Sequence, residues 1–464
     1  MSPESLDEEQ IQSFESELLG ELITPEDTNY DTARQIWNAM IDKRPALIAR
    51  CSGAADVIDA VTFAREHALP VAVKGGGHNA AGNAICEDGL VIDLSAMKSV
   101  QVDPRSRTAR VEPGVILREL DHETQAFGLA TPTGQVSMTG IAGLTLGGGW
   151  GWLSRKYGMT IDNLRSVNIV TADGELLHAS EEENEDLFWG IRGGGGNFGV
   201  VTSFEFQLHE VGPELLAGLR VYPFGEAADV LRFHREFTAE APDELCCYAA
   251  IIGAPPVPFL PEEIHGKTVI VCALCYSGSI EEGEQAIQPL RNLGDPIADL
   301  IQPMPFTAMQ QMFDADYESG ARNYWKTQLV NPLPDEAIDM VVEGSEPLPT
   351  TDTKIVLEHL GGAMARVDPT ATAYRHRSAP YSFNVYPRWT DPEEDESHIS
   401  WAREFIDAMA PFATDGVGVN FLSQEGHDRV KAAYGANYER LTELKSKYDP
   451  DNLFRMNQNI VPAT

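Results

Sequence analysis

Gly140-Ile141-Ala142-Gly143-Leu144-Thr145-Leu146-Gly147-Gly148-Gly149-Trp150-Gly151, continuing through Tyr157-Gly158 to Asp162-Asn163, is the stretch that decides the fold. Seven glycines between positions 140 and 158 exclude a helix or a strand on propensity alone. Two further clusters share this texture. Gly75-Gly76-Gly77-His78-Asn79 follows the apolar run PVAV, and Gly193-Gly194-Gly195-Gly196-Asn197-Phe198-Gly199 feeds VVTSFEFQLHEV. Three glycines after a strand let the backbone turn through positive φ and aim successive N–H groups into one concavity. Such a nest holds a pyrophosphate without a basic side chain. The first cluster is not a dinucleotide fingerprint, because no G-x-G-x-x-G opens a helix there. Three glycine loops in one region imply backbone wrapped closely around a large phosphate-bearing ligand. As plain connections each would cost backbone entropy without return.

Outward from these loops the pattern is mixed. AADVIDAVTFAREHA places Val57, Ile58, Val61 and Ala64 on one helical face. GLVIDLS, SVQVD and TARVEPG read as strands, and VILRELDHETQAFG as a helix. RSVNIVT and ELLHAS flank Ala172-Asp173-Gly174, a hairpin signal. Beyond it, Val201, Phe204, Phe206 and Leu208 largely alternate with polar residues. From about 214 the glycine density falls. Strands (LRVYPF, LCCYAAIIGA, TVIVCALCY, TKIVLEHL, SFNVYPRW) then alternate with helices (AADVLRFHREFT, EEGEQAIQPLRNL, DESHISWAREFIDAMAPF) to about 415. This predicts an antiparallel sheet backed by helices. The acidic segment over 1–43 reads as helical and peripheral. HDRVKAAYGANYERLTELKSKY reads as one helix before an irregular tail. At 464 residues the chain exceeds what one hydrophobic core usually carries, so two domains are expected.

Apolar residues at 43% and aromatics at 8% exclude a disordered chain. Acidic residues number 71 against 34 basic ones, for a net charge of −37, which disfavours nucleic-acid and membrane-surface partners. Of the basic residues only ten are Lys and 24 are Arg. That balance reads as a halophilic surface, adapted to salt that screens repulsion. No run of 18 apolar residues occurs, and the N-terminus lacks a basic n-region and an apolar h-region, so a cytoplasmic protein is expected. Cysteines at 51, 86, 246, 247, 272 and 275 form no disulfide framework, in keeping with a reducing compartment. Cys272 and Cys275 lie in what reads as a strand. An offset of three puts their thiols on opposite faces, and no metal site is expected.

The run from Arg44 to about Glu210 resembles the PCMH-type flavin-binding domain of the vanillyl-alcohol-oxidase superfamily. The likeness rests on VKGGGHN, GLVIDLSAM, GIAGLTLGGGWGWLSRKYGMTIDNL, VTADGE and DLFWGIRGGGGNFGVVTSFEF. NYERLTELKSKYDPDNLFRMNQNI is similar to the C-terminal segment of the berberine-bridge-enzyme-like branch. With YWK and GGAMARV between them, the resemblance covers roughly 44–462. It implies an α+β fold with a PCMH-type FAD-binding domain over 44–213 and a substrate domain over 214–415. A C-terminal segment over 416–464 would return to the FAD domain. The implied activity is that of an FAD-dependent oxidoreductase. A small or sugar-like alcohol would give hydride to flavin N5, and oxygen or another acceptor would reoxidise the flavin.

Position by position, His78 matches the histidine bonded to the 8α-methyl carbon of FAD. A covalent flavin cannot dissociate, and alkylation there raises its reduction potential. Lys74, Gly75, Gly76, Gly77, Asn79 and Gly82 would cradle the pyrophosphate. Gly140, Gly143, Gly148, Gly149 and Asp162 belong to the block facing the diphosphate and flavin, with Val200 near the isoalloxazine. Asn457 and Asn459 would return to the flavin's edge. Two positions depart from the family pattern. Val136 stands where many relatives carry a second flavin-bonding cysteine, so one covalent link is expected. Gly418 stands where many carry a tyrosine that serves as base. Tyr386, Tyr324 and His359 are then the candidates for that role, with Lys326 and Tyr381 behind them; Glu425 reads as a helix cap. Rival readings are a dehydrogenase with a non-oxygen acceptor and a flavin-carrying binding protein without turnover. Substrate, acceptor and oligomeric state stay open at this level. The charge balance gives a first test. Melting temperature should rise along a sodium chloride series, with structure or solubility lost at low salt; an indifferent protein contradicts salt adaptation.

Overall fold

Strands Leu47–Arg50, Leu90–Asp93 and Val71–Lys74 are short aliphatic runs, as parallel strands covered on both faces must be. In the computed structural model, which describes residues 6–423 and 426–463, the first and third of these flank Leu90–Asp93 in parallel. Helix Ala54–Glu66 makes the crossover, with Val57, Val61 and Ala64 fully buried and Ile58 only partly so. The N-terminal segment departs from the peripheral helix expected of it. Helix Glu8–Glu17 forms, opened by a capping box between Asp7 and Gln10, but its Phe14 stacks on Phe63 at 4.2 Å. Glu21–Ile23 adds an antiparallel edge strand to Leu47–Arg50, and Tyr30 and Trp37 are buried. A few apolar anchors in an acidic surround carry too little periodicity to be read as structure.

A second sheet has five antiparallel strands in the order Val100–Asp103, Thr108–Val111, Val200–Gln207, Leu164–Val170, Leu176–Ser180. Its central strand buries Val201, Phe204 and Phe206, and the expected hairpin closes with Val170 opposite Leu176. The third sheet has eight strands. Its path runs Ala298–Asp299, Glu214–Pro223, Thr268–Tyr276, Leu245–Gly253, Lys354–His359, Tyr381–Tyr386, Lys326–Val330, with Gln302–Pro305 pairing Glu214–Pro223. Helices Ala227–Ala239, Asp335–Gly344 and Asp395–Met409 bury Leu231, Ile338 and Phe405 against one face of this sheet. Ile355, Leu357, Tyr381, Phe383 and Val385 point into that core. Side chains alternate along a strand, so Glu358, Ser382, Asn384 and Tyr386 take the other face, toward the glycine loops. Cys272 and Cys275 likewise fall into separate cores on the two faces.

Buried polar bonds lock the pieces together. Arg155, on helix Ser154–Tyr157, donates to the carbonyls of Leu245 (2.8 Å), Ala241 (3.1 Å) and Leu360 on the large sheet's side. The C-terminal run expected as one helix is two, His427–Tyr434 and Tyr438–Tyr448, separated at Gly435, where φ is +52°. From the second of them, fully buried Lys445 pairs with Asp449 at 2.6 Å and donates to the carbonyls of Asn197 and Phe454, both at 2.8 Å. The tail is thereby pinned to the third glycine loop. Removing one partner of such a pair costs about 3–5 kcal/mol. Glu425 lies outside the described residues. Among those described, no helix is long and apolar enough to cross a membrane.

Candidate active site

The three glycine loops meet one another. A Cβ on Gly76 would lie 2.6 Å from the Cα and N of Gly140, and one on Gly140 would lie 2.5 Å from the Gly76 nitrogen. Only two glycines permit that backbone-to-backbone approach. The carbonyl of Leu146 accepts from Gly193 N at 3.1 Å and Gly195 N at 2.9 Å, which joins the second loop to the third. The tail closes the ring of contacts. Asn457 donates to Gly196 O at 3.1 Å, and Asn197 accepts from Ile460 N at 3.0 Å.

These loops surround a cavity of about 300 Å³. Gly75, Gly76, Gly77, His78, Asn79, Gly140, Gly143, Gly149, Val200 and Asn457 line it, as does Val136. The other expected contacts stand behind the wall. Lys74 turns away, donating to Ala33 O at 2.7 Å and lying 3.8 Å from Asp93. Gly82 packs on Ile41, and Gly148 faces Met159 and Tyr374. Asp162 forms a buried bidentate pair with Arg377, both bonds 2.8 Å, and accepts from Met159 N. Asn459 is off the lining. The side chains of Lys74 and Asp162 thus support the wall and do not form it.

The residues present fit a flavin dinucleotide. A Cβ on Gly143 or Gly196 would meet nothing within 4 Å, so backbone borders open space there. The buried Oδ1 of Asn457 has no partner among the described residues. Among the described residues the lining holds no lysine or arginine, so backbone N–H groups and neutral donors such as Asn79 and Thr139 are what remains to hold a diphosphate. His78 faces the same cavity and stacks on Trp37, centroids 5.0 Å apart and planes 19° apart. Burial, with Arg388 nearby, lowers its pKa to about 4, so the imidazole is neutral at working pH.

Opposite the loops stand Tyr317, Trp325, Glu358, Tyr386 and Phe421. Glu358 is 2% exposed; its Oε1 accepts from Gln135 Nε2 at 2.9 Å and its Oε2 from Trp150 Nε1 at 2.8 Å. Burial raises its pKa above the usual carboxyl value, against the pull of those two donors. Of the bases expected from sequence, only Tyr386 reaches the cavity. Burial first and Glu358 second push its phenol well above its ordinary value, so it is a proton donor and a poor base. Tyr324 lies on the helix side, accepting from Arg403 Nε at 3.0 Å, and Lys326 stands over its ring. His359 points into the helix-backed core between His234 and Tyr381, held neutral chiefly by burial. Tyr381 shares a 2.6 Å hydrogen bond with Thr238 there. The apolar alternation Ile355, Leu357 in TKIVLEHL puts His359 on the core face and Glu358 on the site face, and this was the signal available. Gly418 also gains a cause: a Cβ there would lie 2.5 Å from the Trp150 indole, which fills the space a larger residue would take.

Comparison with known proteins agrees with this geometry. The FAD binding domain family matches residues 45–180, and the berberine and berberine-like family matches residues 417–461. A FAD-linked oxidoreductase of Dictyostelium discoideum is 33% identical over 92% of this chain and 91% of its own length. The (R)-6-hydroxynicotine oxidase of Paenarthrobacter nicotinovorans is 33% identical over 96% of this chain and 97% of its own. The chain belongs to the berberine-bridge-enzyme-like FAD-linked oxidoreductases. The structure of 6-hydroxy-D-nicotine oxidase from Arthrobacter nicotinovorans superposes with a TM-score of 0.86 at 32% identity, covering 96% of this chain and 98% of that one. Chitooligosaccharide oxidase, at 23% identity, shares the fold with a TM-score of 0.85 over 98% of this chain and all of its own. The protein is therefore an FAD-binding enzyme with the two-domain PCMH-type α+β fold.

The contact between loops supplies a test. Gly140→Ala should part the first two loops at about 1–3 kcal/mol of overpacking, with loss of bound flavin by absorbance and a lower melting temperature. Gly53→Ala, where a Cβ meets nothing within 4 Å, should keep both. Full flavin and unchanged melting in Gly140→Ala contradict the close approach.

Proposed function

We propose that this enzyme oxidises a small or sugar-like alcohol by hydride transfer, with Glu358 as the base and FAD held covalently through His78 alone. The observation that carries the proposal is a buried carboxyl on the cavity wall, both oxygens oriented by donors from the glycine-loop side. When bound, FAD accepts the hydride at N5. Glu358 takes the hydroxyl proton of the substrate, and Gln135 and Trp150 hold the carboxylate in place as its charge changes. Tyr317 and Tyr386, their phenols kept protonated by burial, offer hydrogen bonds to the substrate, while Trp325 presents a flat face for stacking. The neutral imidazole of His78 has the lone pair that attachment requires, and Val136 on the same wall has no thiol for a second link.

The domain limits 44–213, 214–415 and 416–464 belong to the same proposal. The change of core at strand Glu214–Pro223 supports the limit at 213, and the core that Val417 and Ile460 share with Val111 and Phe206 supports the return of the last segment. Oxygen is the acceptor we infer, because the relatives and neighbours named above include oxidases. A saline cytoplasm is the compartment we infer, from the charge of −37 and six buried free thiols.

Anaerobic stopped flow with a panel of sugars and benzylic alcohols tests the assignment. Glu358→Gln should keep its flavin but reduce it about 10²–10⁴-fold more slowly. Only the ionised carboxyl is a base. A pKa raised by burial therefore puts the acid limb of the wild-type rate above the ordinary value of 4.5, with activity rising as pH climbs through it. That limb should vanish in the variant. Wild-type rates in Glu358→Gln overturn the base, and a panel that never reduces the flavin favours a binding protein.

A further inference from the structure

We propose that Trp37, from the N-terminal segment, is the positioning residue for the covalent tether: its indole sets the plane of the His78 imidazole. The proposal rests on the reading of His78 as the attachment point and adds the element that orients it. A functional histidine is usually oriented by a hydrogen bond at its second ring nitrogen. Among the described residues no hydrogen bond holds the His78 ring. What touches it face to face is Trp37, at 5.0 Å and 19°.

Trp37 is 2% exposed and off the cavity lining, so it supports the imidazole from behind. Its own position is fixed from two sides. Its backbone N–H donates to Gly77 O at 3.1 Å, within the histidine's loop. Its indole Nε1 donates to Tyr317 O at 2.7 Å, on the substrate side. The next residue repeats this bridge: Asn38 donates to Ala80 O at 2.8 Å and to Asn323 O at 2.9 Å. The indole therefore lies on His78 in the arrangement that packs residues 317–323 against the histidine loop. Attachment forms one bond between an imidazole nitrogen and the 8α carbon. One N–H and one C–H hydrogen are lost, and their two protons and two electrons pass to dioxygen as hydrogen peroxide. The attacking lone pair lies in the ring plane, so a ring free to tilt attacks less often.

Proteins from riboflavin-starved cells, given FAD and quenched in acid at intervals, test this. Flavin in the acid pellet reports the tether, and flavin retained on filtration before the quench reports total binding. Trp37→Phe keeps a ring but loses the Tyr317 bond, while Trp37→Leu and Trp37→Met fill space without a ring. All three should bind FAD. The two ringless variants should form the tether about tenfold or more slowly, and Trp37→Phe should stay close to wild type. Wild-type attachment rates in the ringless variants overturn the proposal. So does a Trp37→Phe protein as slow as they are, or loss of FAD uptake in both ringless variants, since Trp37 would then hold the fold alone. Wild-type protein whose flavin is wholly extracted by acid removes the His78 tether itself, an outcome distinct from a tether that forms without the ring.

Discussion

Gly76 and Gly140 approach so closely that neither tolerates a side-chain carbon, and much of the molecule is arranged around that contact. It brings the loop carrying His78 against the loop carrying Gly143 and Gly149. Two hydrogen bonds from the Gly193 and Gly195 N–H groups to Leu146 O then add the third loop. Backbone packed this tightly cannot fill its own hollow, so the loops enclose a cavity lined in part by main chain, with no lysine or arginine among the described lining residues. A site of this kind holds a diphosphate with N–H groups and leaves the side chains free for other work. The buried Lys445–Asp449 pair and the Asn197 and Asn457 bonds tie the C-terminal segment to the same place. One site thus depends on residues from both ends of the chain.

The large sheet contributes the chemistry by alternation. Odd positions of Lys354–His359 and Tyr381–Tyr386 meet the helices, and even ones take the other face, where Glu358 and Tyr386 line the cavity. A carboxyl thereby reaches the cavity alongside Tyr317, Trp325, Tyr386 and Phe421, while the adjacent histidine is sealed in a core. Gly418, Trp150 and Glu358 form one unit. The glycine leaves room for an indole, and the indole's N–H fixes the carboxylate.

The glycine clusters were legible in sequence because few other structures explain such density, and they located the cavity; the family resemblance added His78 and Asn457. Most strands of both domains showed as short apolar runs, though Leu47–Arg50 and Lys326–Val330 did not. Three things were hidden. The N-terminal segment buries Phe14, Tyr30 and Trp37 singly, and anchors that sparse leave no period to detect. Asp162 and Lys74 sit within the matching motifs, yet their side chains are spent on Arg377 and on Ala33 O, a division only coordinates reveal. Residue type favours His359 over Glu358 as a base, and strand phase reverses that order. Phase was readable from Ile355 and Leu357, whereas the indole at Gly418 was not, being a contact between residues 268 positions apart.

The proposed chemistry depends on an imidazole at position 78 that faces the cavity and would carry the flavin. Peptide mapping by mass spectrometry of the acid-precipitated protein tests it most directly. One FAD should ride on the peptide containing His78 and none on the peptide containing Val136. An unmodified His78 peptide, with the flavin free in the supernatant or absent altogether, contradicts it.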